Sequence, residues 1–246
     1  MKKVLVLLYG LIAYLAFFGT ILYAIGFVGN LFVPKSIDGD PQVPLIQAIL
    51  INALLLLLFA LQHSIMARPS FKRWWTKVIP EPMERSTFVL LASLCLMLMM
   101  WQWQPIGGVI WSVKNEIAKT VLIVLYIIGW TIVFISTFLI NHFDLFGLRQ
   151  TWLYVTGKKY ESLPFRVPLF YRFVRHPLYL GFLIAFWSTP VMTVAHLLFV
   201  ILTTGYIFTA ISLEEKDLVD HFGEKYMSYK TWVPKIIPFI KKNPVK

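Results

Sequence analysis

The chain gathers its apolar positions into long runs rather than alternating them with polar ones. Residues 4–33, 44–67, 86–113, 120–143 and 177–213 contain no Asp, Glu, Lys or Arg, giving runs of 30, 24, 28, 24 and 37 residues. A helix rises 1.5 Å per residue, so about 20 residues cross the hydrocarbon core of a bilayer. Each of the first four runs is long enough for one crossing, with spans predicted near 4–33, 44–66, 87–113 and 120–142. The first run exceeds a signal-peptide core and lacks a small-residue cleavage pattern, so it reads as a retained span. The fifth run is too long for a single crossing and is interrupted at Thr189-Pro190. Proline has no amide donor and clashes with the preceding turn. A helical hairpin over 177–213 follows, with a short arm near 178–188 and a longer arm near 191–213 that leaves the membrane at Leu213. The predicted fold class is all-α: a polytopic transmembrane helical bundle of four spans plus a C-terminal hairpin, five to six helices in one domain over residues 1–246.

Composition agrees with this pattern and removes other classes. Hydrophobic residues make up 58% of the 246 positions and charged residues 14%, which excludes both disorder and an ordinary water-soluble domain. The single cysteine, Cys95, excludes an internal disulfide and any paired-cysteine metal or redox site. The formal net charge of +11 could suggest nucleic acid, but its distribution argues otherwise. Segments 1–3, 67–86, 142–177 and 214–246 hold 20 of the 23 Lys and Arg residues, and the alternate segments hold 3. Positive charge stays on the cytoplasmic side. Both termini are therefore expected in the cytoplasm of an inner-membrane protein, with a basic collar facing anionic lipid. Within that collar Phe71, Trp74, Trp75 and Val78 follow helical spacing opposite Lys72, Arg73 and Lys77, which predicts an interfacial helix over 68–85.

Several kinds of chemistry are absent. No two glycines are separated by a single residue, there is no GxxxxGK phosphate loop, no GxSxG elbow, and no histidine is followed by Glu. No metal site is predicted. Polar residues inside the apolar runs are then the functional candidates, because burying them in lipid is costly. They are Asn52, Gln62, His63 and Ser64 in the second run, and Asn141 and His142, followed by Asp144, at the end of the fourth. His196 is expected at the outer interface. His63 could equally serve a helix–helix hydrogen bond, and Asn141-His142-Asp144 could cap a helix. Near the hairpin, Arg175 and His176 precede Pro177, which suits a first helical turn. The free amides of that turn and the two cationic groups predict an anion site. A hairpin returns Glu214 and Glu215 to the same depth, and basic and acidic groups together suit a zwitterion.

These residues carry a resemblance. RHPLYLG (175–181), EEKDL (214–218) and FGEKYMSY (222–229) resemble the C-terminal cofactor motif of the isoprenylcysteine carboxyl methyltransferase and phospholipid methyltransferase superfamily, RHPxYxG, hairpin, EExxL, FGxxYxxY. The segments 9–30, 33–38, 62–75, 136–154 and 212–218 look closer to one branch, the bacterial methanethiol S-methyltransferases, with NnrU-like membrane proteins as relatives. The resemblance implies S-adenosylmethionine as cofactor and methylation of methanethiol to dimethyl sulfide. It implies a cofactor segment over 165–229, with Arg175 and His176 at the methionyl carboxylate, Pro177, Tyr179 and Gly181 lining the cofactor, and Glu214 or Glu215 at its ribose or amino group. Tyr226 and Tyr229 are expected as lid or packing residues. A thiol needs activation. His142 with Asp144 is the favoured pair, His63 is a further candidate, and Asn141 and Arg149 are positioners. The adjacent sulfonium could also lower the thiol pKa without a dedicated base. A larger lipid or isoprenoid acceptor, and haem ligation by the histidines, stay open as alternatives.

Overall fold

The computed structural model describes residues 1–238. Among the described residues, five stretches are long and apolar enough to cross a membrane: Lys2–Gly29, Leu45–Ala67, Glu81–Gln102, Glu116–Ile140 and Val194–Phe222. In chain order the elements are α1 (Lys2–Gly29), α2 (Leu45–Ala67), the short α3 (Pro69–Trp75), α4 (Glu84–Gln102) and β1 (Val109–Ser112). Then come α5 (Glu116–Ile140), α6 (His142–Leu145), α7 (Leu148–Val155), α8 (Pro177–Trp187), β2 (Val191–Thr193), α9 (Val194–Phe222) and α10 (Glu224–Trp232). On α1, Leu5, Leu8, Leu11, Ile12 and Leu15 are all exposed. A helix that is apolar around so much of its circumference is stable in lipid and not in water. The chain is a multi-pass membrane protein.

Three details differ from the sequence reading. The interfacial helix is short: α3 ends at Trp75, and its face divides. Phe71 and Trp75 pack on the Met66–Phe88–Val89 cluster, while Trp74 and Val78 stay exposed. The long arm of the hairpin does not end at Leu213; α9 continues unbroken to Phe222, because Glu, Lys, Asp and Leu are all tolerant of a helix. The chain also makes a small antiparallel pair, β1 with β2. Pro190 stops α8 from joining α9, and the extended residues that follow take β1 as a partner for their backbone groups. The short arm α8 covers about 16 Å by its helical rise, less than a bilayer core.

The chain forms two compact units. The first comprises Met1–Ser112, His142–Glu161 and Val191–Leu202. Its α4 packs on α1 and α2, and α7 packs on α1. Gly10 permits the latter approach: a Cβ there would lie 2.7 Å from Thr151 Oγ1. Gly147, at φ +89°, turns the chain against Ser86, where a Cβ would meet the Ser86 backbone nitrogen at 2.7 Å. Asn52, flagged by its burial in an apolar run, has a structural partner. Its Nδ2 donates to Gln104 O and its Oδ1 accepts from Gln104 N, both at 2.8 Å, which satisfies backbone just beyond the end of α4. His196, expected at the outer interface, is 1% exposed at the start of α9, and its backbone N–H donates to Thr193 Oγ1.

The second unit comprises Val113–Asn141, Ser162–Pro190 and, among the described residues, those from Thr203. Its centre is the close packing of α5 against α8. A Cβ on Gly129 would lie 2.5 Å from Ala185 N, and one on Gly181 would lie 2.7 Å from Gly129 O. Two glycines thus bring the helix backbones into contact, as small residues do between membrane helices. Trp130 closes the side of this contact with its ring edge-on to Phe182 and Phe186.

Candidate active site

In the second unit, residues 175 and 176 meet α9 and the strap that follows α10. Arg175 is 4% exposed and Glu215 6%. Arg175 donates from Nε to Glu215 Oε1 at 2.7 Å, and its Nη2 lies 2.7 Å from the same oxygen. Its Nη1 donates to the carbonyls of Val233 and Lys230. His176 is also buried, with Nε2 3.1 Å from Glu215 Oε1. A carboxylate can only accept, so His176 donates from Nε2, an assignment made on chemical grounds. Lys230 Nζ lies 3.4 Å from Glu215 Oε2. One buried carboxylate is therefore encircled by three cationic or donor groups, which is the condition under which a buried charge is tolerable. The backbone joins in: Arg175 N donates to Pro234 O at 2.9 Å and His176 N to Lys235 O at 3.2 Å.

Glu214 behaves differently. Its side chain is 44% exposed, and its Oε2 lies 3.9 Å from His176 Nδ1, beyond hydrogen-bond reach. Its carboxylate is available beside the first turn of α8, where Pro177 occupies the first helical position and His176 the N-cap. Tyr179 lies next to the His176 ring and joins the cluster of Ile207, Ile211 and Ile236. The missing side chain of Gly181 is taken up by α5, as described above. Tyr226 and Tyr229 pack with Val233 and Phe165, and Tyr229 donates its hydroxyl to Tyr171 O. Burial pushes the Tyr171, Tyr226 and Tyr229 phenols well above their ordinary range, so they stay neutral.

The remaining candidates lie in the first unit, apart from Asn141, which caps α5 at the edge of the second. His142 is 5% exposed; its Nε2 is 2.9 Å from the Tyr14 hydroxyl, and the rings of Phe143 and Phe146 stand edge-on to it. Burial lowers its pKa from the ordinary histidine value. Asp144 accepts from Arg149 Nη1 at 2.7 Å and from the Tyr160 hydroxyl at 3.4 Å. His63 sits on α2 between Phe59 and Phe88. Among the described residues no cluster of three His, Cys, Asp or Glu could hold a metal.

Sequence reasoning brought Arg175, His176, Glu214 and Glu215 together, but it missed Lys230, Tyr14 and the strap carbonyls at 233–235. The carbonyls carry no side-chain signal at all. Lys230 was legible only as one basic residue among the 7 that follow Leu213.

Comparison with known proteins gives a consistent answer. The profile of the NnrU protein family matches residues 50–214. A methanethiol S-methyltransferase of Crocosphaera subtropica is 56% identical over 99% of this chain and 95% of its own length. A methanethiol S-methyltransferase of Mycobacterium tuberculosis is 48% identical over 97% of this chain and 98% of its own. Nurim from Bos taurus is 32% identical over 67% of this chain and 65% of its own. No solved structure matches. A family profile over two thirds of the sequence, and near-complete overlap with relatives at about half identity, show that the chain belongs to the NnrU family, among its methanethiol S-methyltransferases.

Proposed function

We propose that this membrane enzyme transfers a methyl group from S-adenosylmethionine to methanethiol, releasing dimethyl sulfide and S-adenosylhomocysteine. The observation that carries the reading is the near-full-length identity to proteins bearing that name. The donor set in the second unit suits the cofactor's charges. A partly exposed carboxylate, Glu214, stands beside the N-terminal turn of α8 and the ring of His176, and a zwitterionic amino-acid end needs both signs. When bound, the cofactor supplies an activated methyl group.

The chain's own residues then have distinct tasks. Glu214 receives hydrogen bonds from the cofactor's amino group or ribose. His176, fixed by Glu215, presents its remaining nitrogen toward Glu214. Arg175 is saturated by Glu215 and two carbonyls, so its role here is to hold the first turn of α8 in place. Pro177 and Tyr179 shape that turn. The acceptor thiol loses its proton to a base, with His142, steadied by Tyr14 and paired with Asp144, favoured, His63 a further candidate, and Asn141 and Arg149 as positioners. Exclusion of water helps, because a sulfonium and a thiolate become two neutral sulfides. The uneven distribution of Lys and Arg supports a reading in which both termini and the cofactor segment face the cytoplasm across the inner membrane. Headspace gas chromatography of cells expressing the protein and fed methanethiol tests the reading. Dimethyl sulfide should accumulate with the wild-type chain and fall at least tenfold with Glu214→Gln. Labelling of lipid instead of a volatile product would replace methanethiol by a larger acceptor.

A further inference from the structure

The chain between Ala67 and Glu84 joins two helices that are long and apolar enough to cross a membrane, so α3 lies at a membrane surface. Arg68 Nε donates to Ser64 O at 3.2 Å, and Phe71 and Trp75 pack on Met66, Phe88 and Val89, which ties α3 to both α2 and α4. The winding carries on past Trp75: Lys77 N donates to Trp74 O at 3.1 Å, and Val78 N and Ile79 N donate to Trp75 O at 2.9 and 3.0 Å. With Phe71 and Trp75 turned inward, the exposed positions between 71 and 78 are Arg73, Trp74, Lys77 and Val78. Residues four apart stand one above the other on a helix. The outer face therefore carries a row of two cations, Arg73 and Lys77, beside a row of two large apolar groups, Trp74 and Val78. Among the described residues neither of these cations pairs with a carboxylate. This is not the division that the sequence spacing implied, which set all four apolar residues on one side.

The two rows ask for different chemistry side by side. A soluble anion would meet the cations but gain nothing from an exposed indole and isopropyl group. A choline headgroup carries its own cation, which Arg73 and Lys77 repel. An anionic phospholipid satisfies both rows, with an unbalanced phosphate at the surface and apolar chain directly beneath it. Indole rings sit well at headgroup level, and basic side chains reach along the surface to phosphate. We infer that Arg73, Trp74, Lys77 and Val78 form a docking site for an anionic phospholipid, the two cations on its phosphate and Trp74 with Val78 against the upper part of its chains. The site lies wholly within the first compact unit and does not depend on the methyl-transfer reading. Because Phe71 and Trp75 anchor the opposite face, its preference comes from a fixed pair of cations and not from the basic collar as a whole.

The test uses the full-length chain reconstituted in phosphatidylcholine vesicles, with brominated phosphatidylglycerol or brominated phosphatidylcholine as the quencher of tryptophan fluorescence. Subtracting the signal of Trp74→Phe, made in each background, isolates Trp74. In the otherwise wild-type chain, Trp74 should reach half quenching at an about tenfold lower mole fraction of the brominated phosphatidylglycerol than of the brominated phosphatidylcholine, as two cations near an anionic headgroup predict. Arg73→Gln with Lys77→Gln should cut that preference below about twofold. Lys158→Gln with Lys159→Gln removes the same charge from exposed positions of the same unit outside α3, and should leave the preference within about twofold of wild type. Should the Arg73 and Lys77 pair fail to fold, Lys77→Gln alone takes its place, with the preference cut about threefold to fivefold. Equal quenching by the two lipids overturns the site. So does an equal loss in the two double variants, which would leave only a diffuse basic surface. Loss of the preference on adding millimolar inorganic phosphate would assign the cations to a soluble anion and overturn it as well. An unquenched Trp74 in both lipids means that protein, such as a second copy of the chain, covers this face, and the lipid site falls.

Discussion

Glu214 and Glu215 are neighbours on α9, yet one faces open space and the other is enclosed by Arg175, His176 and Lys230. Their substitutions should therefore fail in different ways. Glu215→Gln leaves the Arg175 guanidinium buried without its counter-charge, and removing one partner of such a pair costs about 3–5 kcal/mol. The thermal midpoint of the detergent-solubilised protein should fall by several degrees, whatever ligand is present. Glu214→Gln should leave that midpoint within the noise of a surface change, about 0.5 kcal/mol, and weaken S-adenosylhomocysteine binding in a calorimetric titration. Equal effects of the two changes on both readouts would remove the distinction. His142 supplies a pH dependence. Burial lowers its folded pKa, so the unfolded chain takes up the proton first. Its effect is absent well above the ordinary value of about 6.5. As pH falls below that value stability is lost, and the loss continues until the folded ring itself protonates. The thermal midpoint should drop between pH 7.5 and pH 5.5, and His142→Gln should flatten that drop.

At the scale of elements, the helices were legible because lipid demands long charge-free runs, and such runs are visible without any knowledge of packing. The two strands were not, since Val109–Ser112 and Val191–Thr193 are too short to show an alternation. The end of α9 was misplaced for a related reason: charge marks where a helix leaves the apolar layer, not where it stops being a helix. The meeting of Arg175 and His176 with α9 was legible from the hairpin. Which glutamate pairs with them was not, because adjacent helical positions differ by about 100° in direction. The α5–α8 contact gives an element-scale prediction. Gly181→Ala places a Cβ 2.7 Å from Gly129 O and 2.9 Å from Val133 N, so the helices must separate. Overpacking of this kind costs about 1–3 kcal/mol, and the first turn of α8 should move with it. Gly205→Ala is the control, because nothing lies within 4 Å of the added carbon. Its thermal midpoint should be unchanged or slightly higher, as helix propensity alone predicts.

For the whole molecule, the uneven placement of 20 of 23 basic residues predicts one orientation in the membrane. Cysteine placed at Asp40, in a Cys95→Ser background, should react with an impermeant maleimide from outside intact spheroplasts. Cysteine at Lys158 should react only after permeabilisation. The opposite pattern would reverse the orientation and move the cofactor segment to the wrong side for a cytoplasmic cofactor.

The bonds from Arg175 to the carbonyls of Val233 and Pro234 have a consequence for biosynthesis. Until residue 234 has left the ribosome, the guanidinium and amide of Arg175 lack two of their final acceptors, so the turn that opens α8 is unfinished during most of translation. The proposed binding of S-adenosylmethionine beside that turn then depends on the backbone near residue 234. A released chain that stops after residue 232 should insert in the membrane yet bind S-adenosylhomocysteine at least tenfold more weakly than the full-length chain, as a calorimetric titration would show.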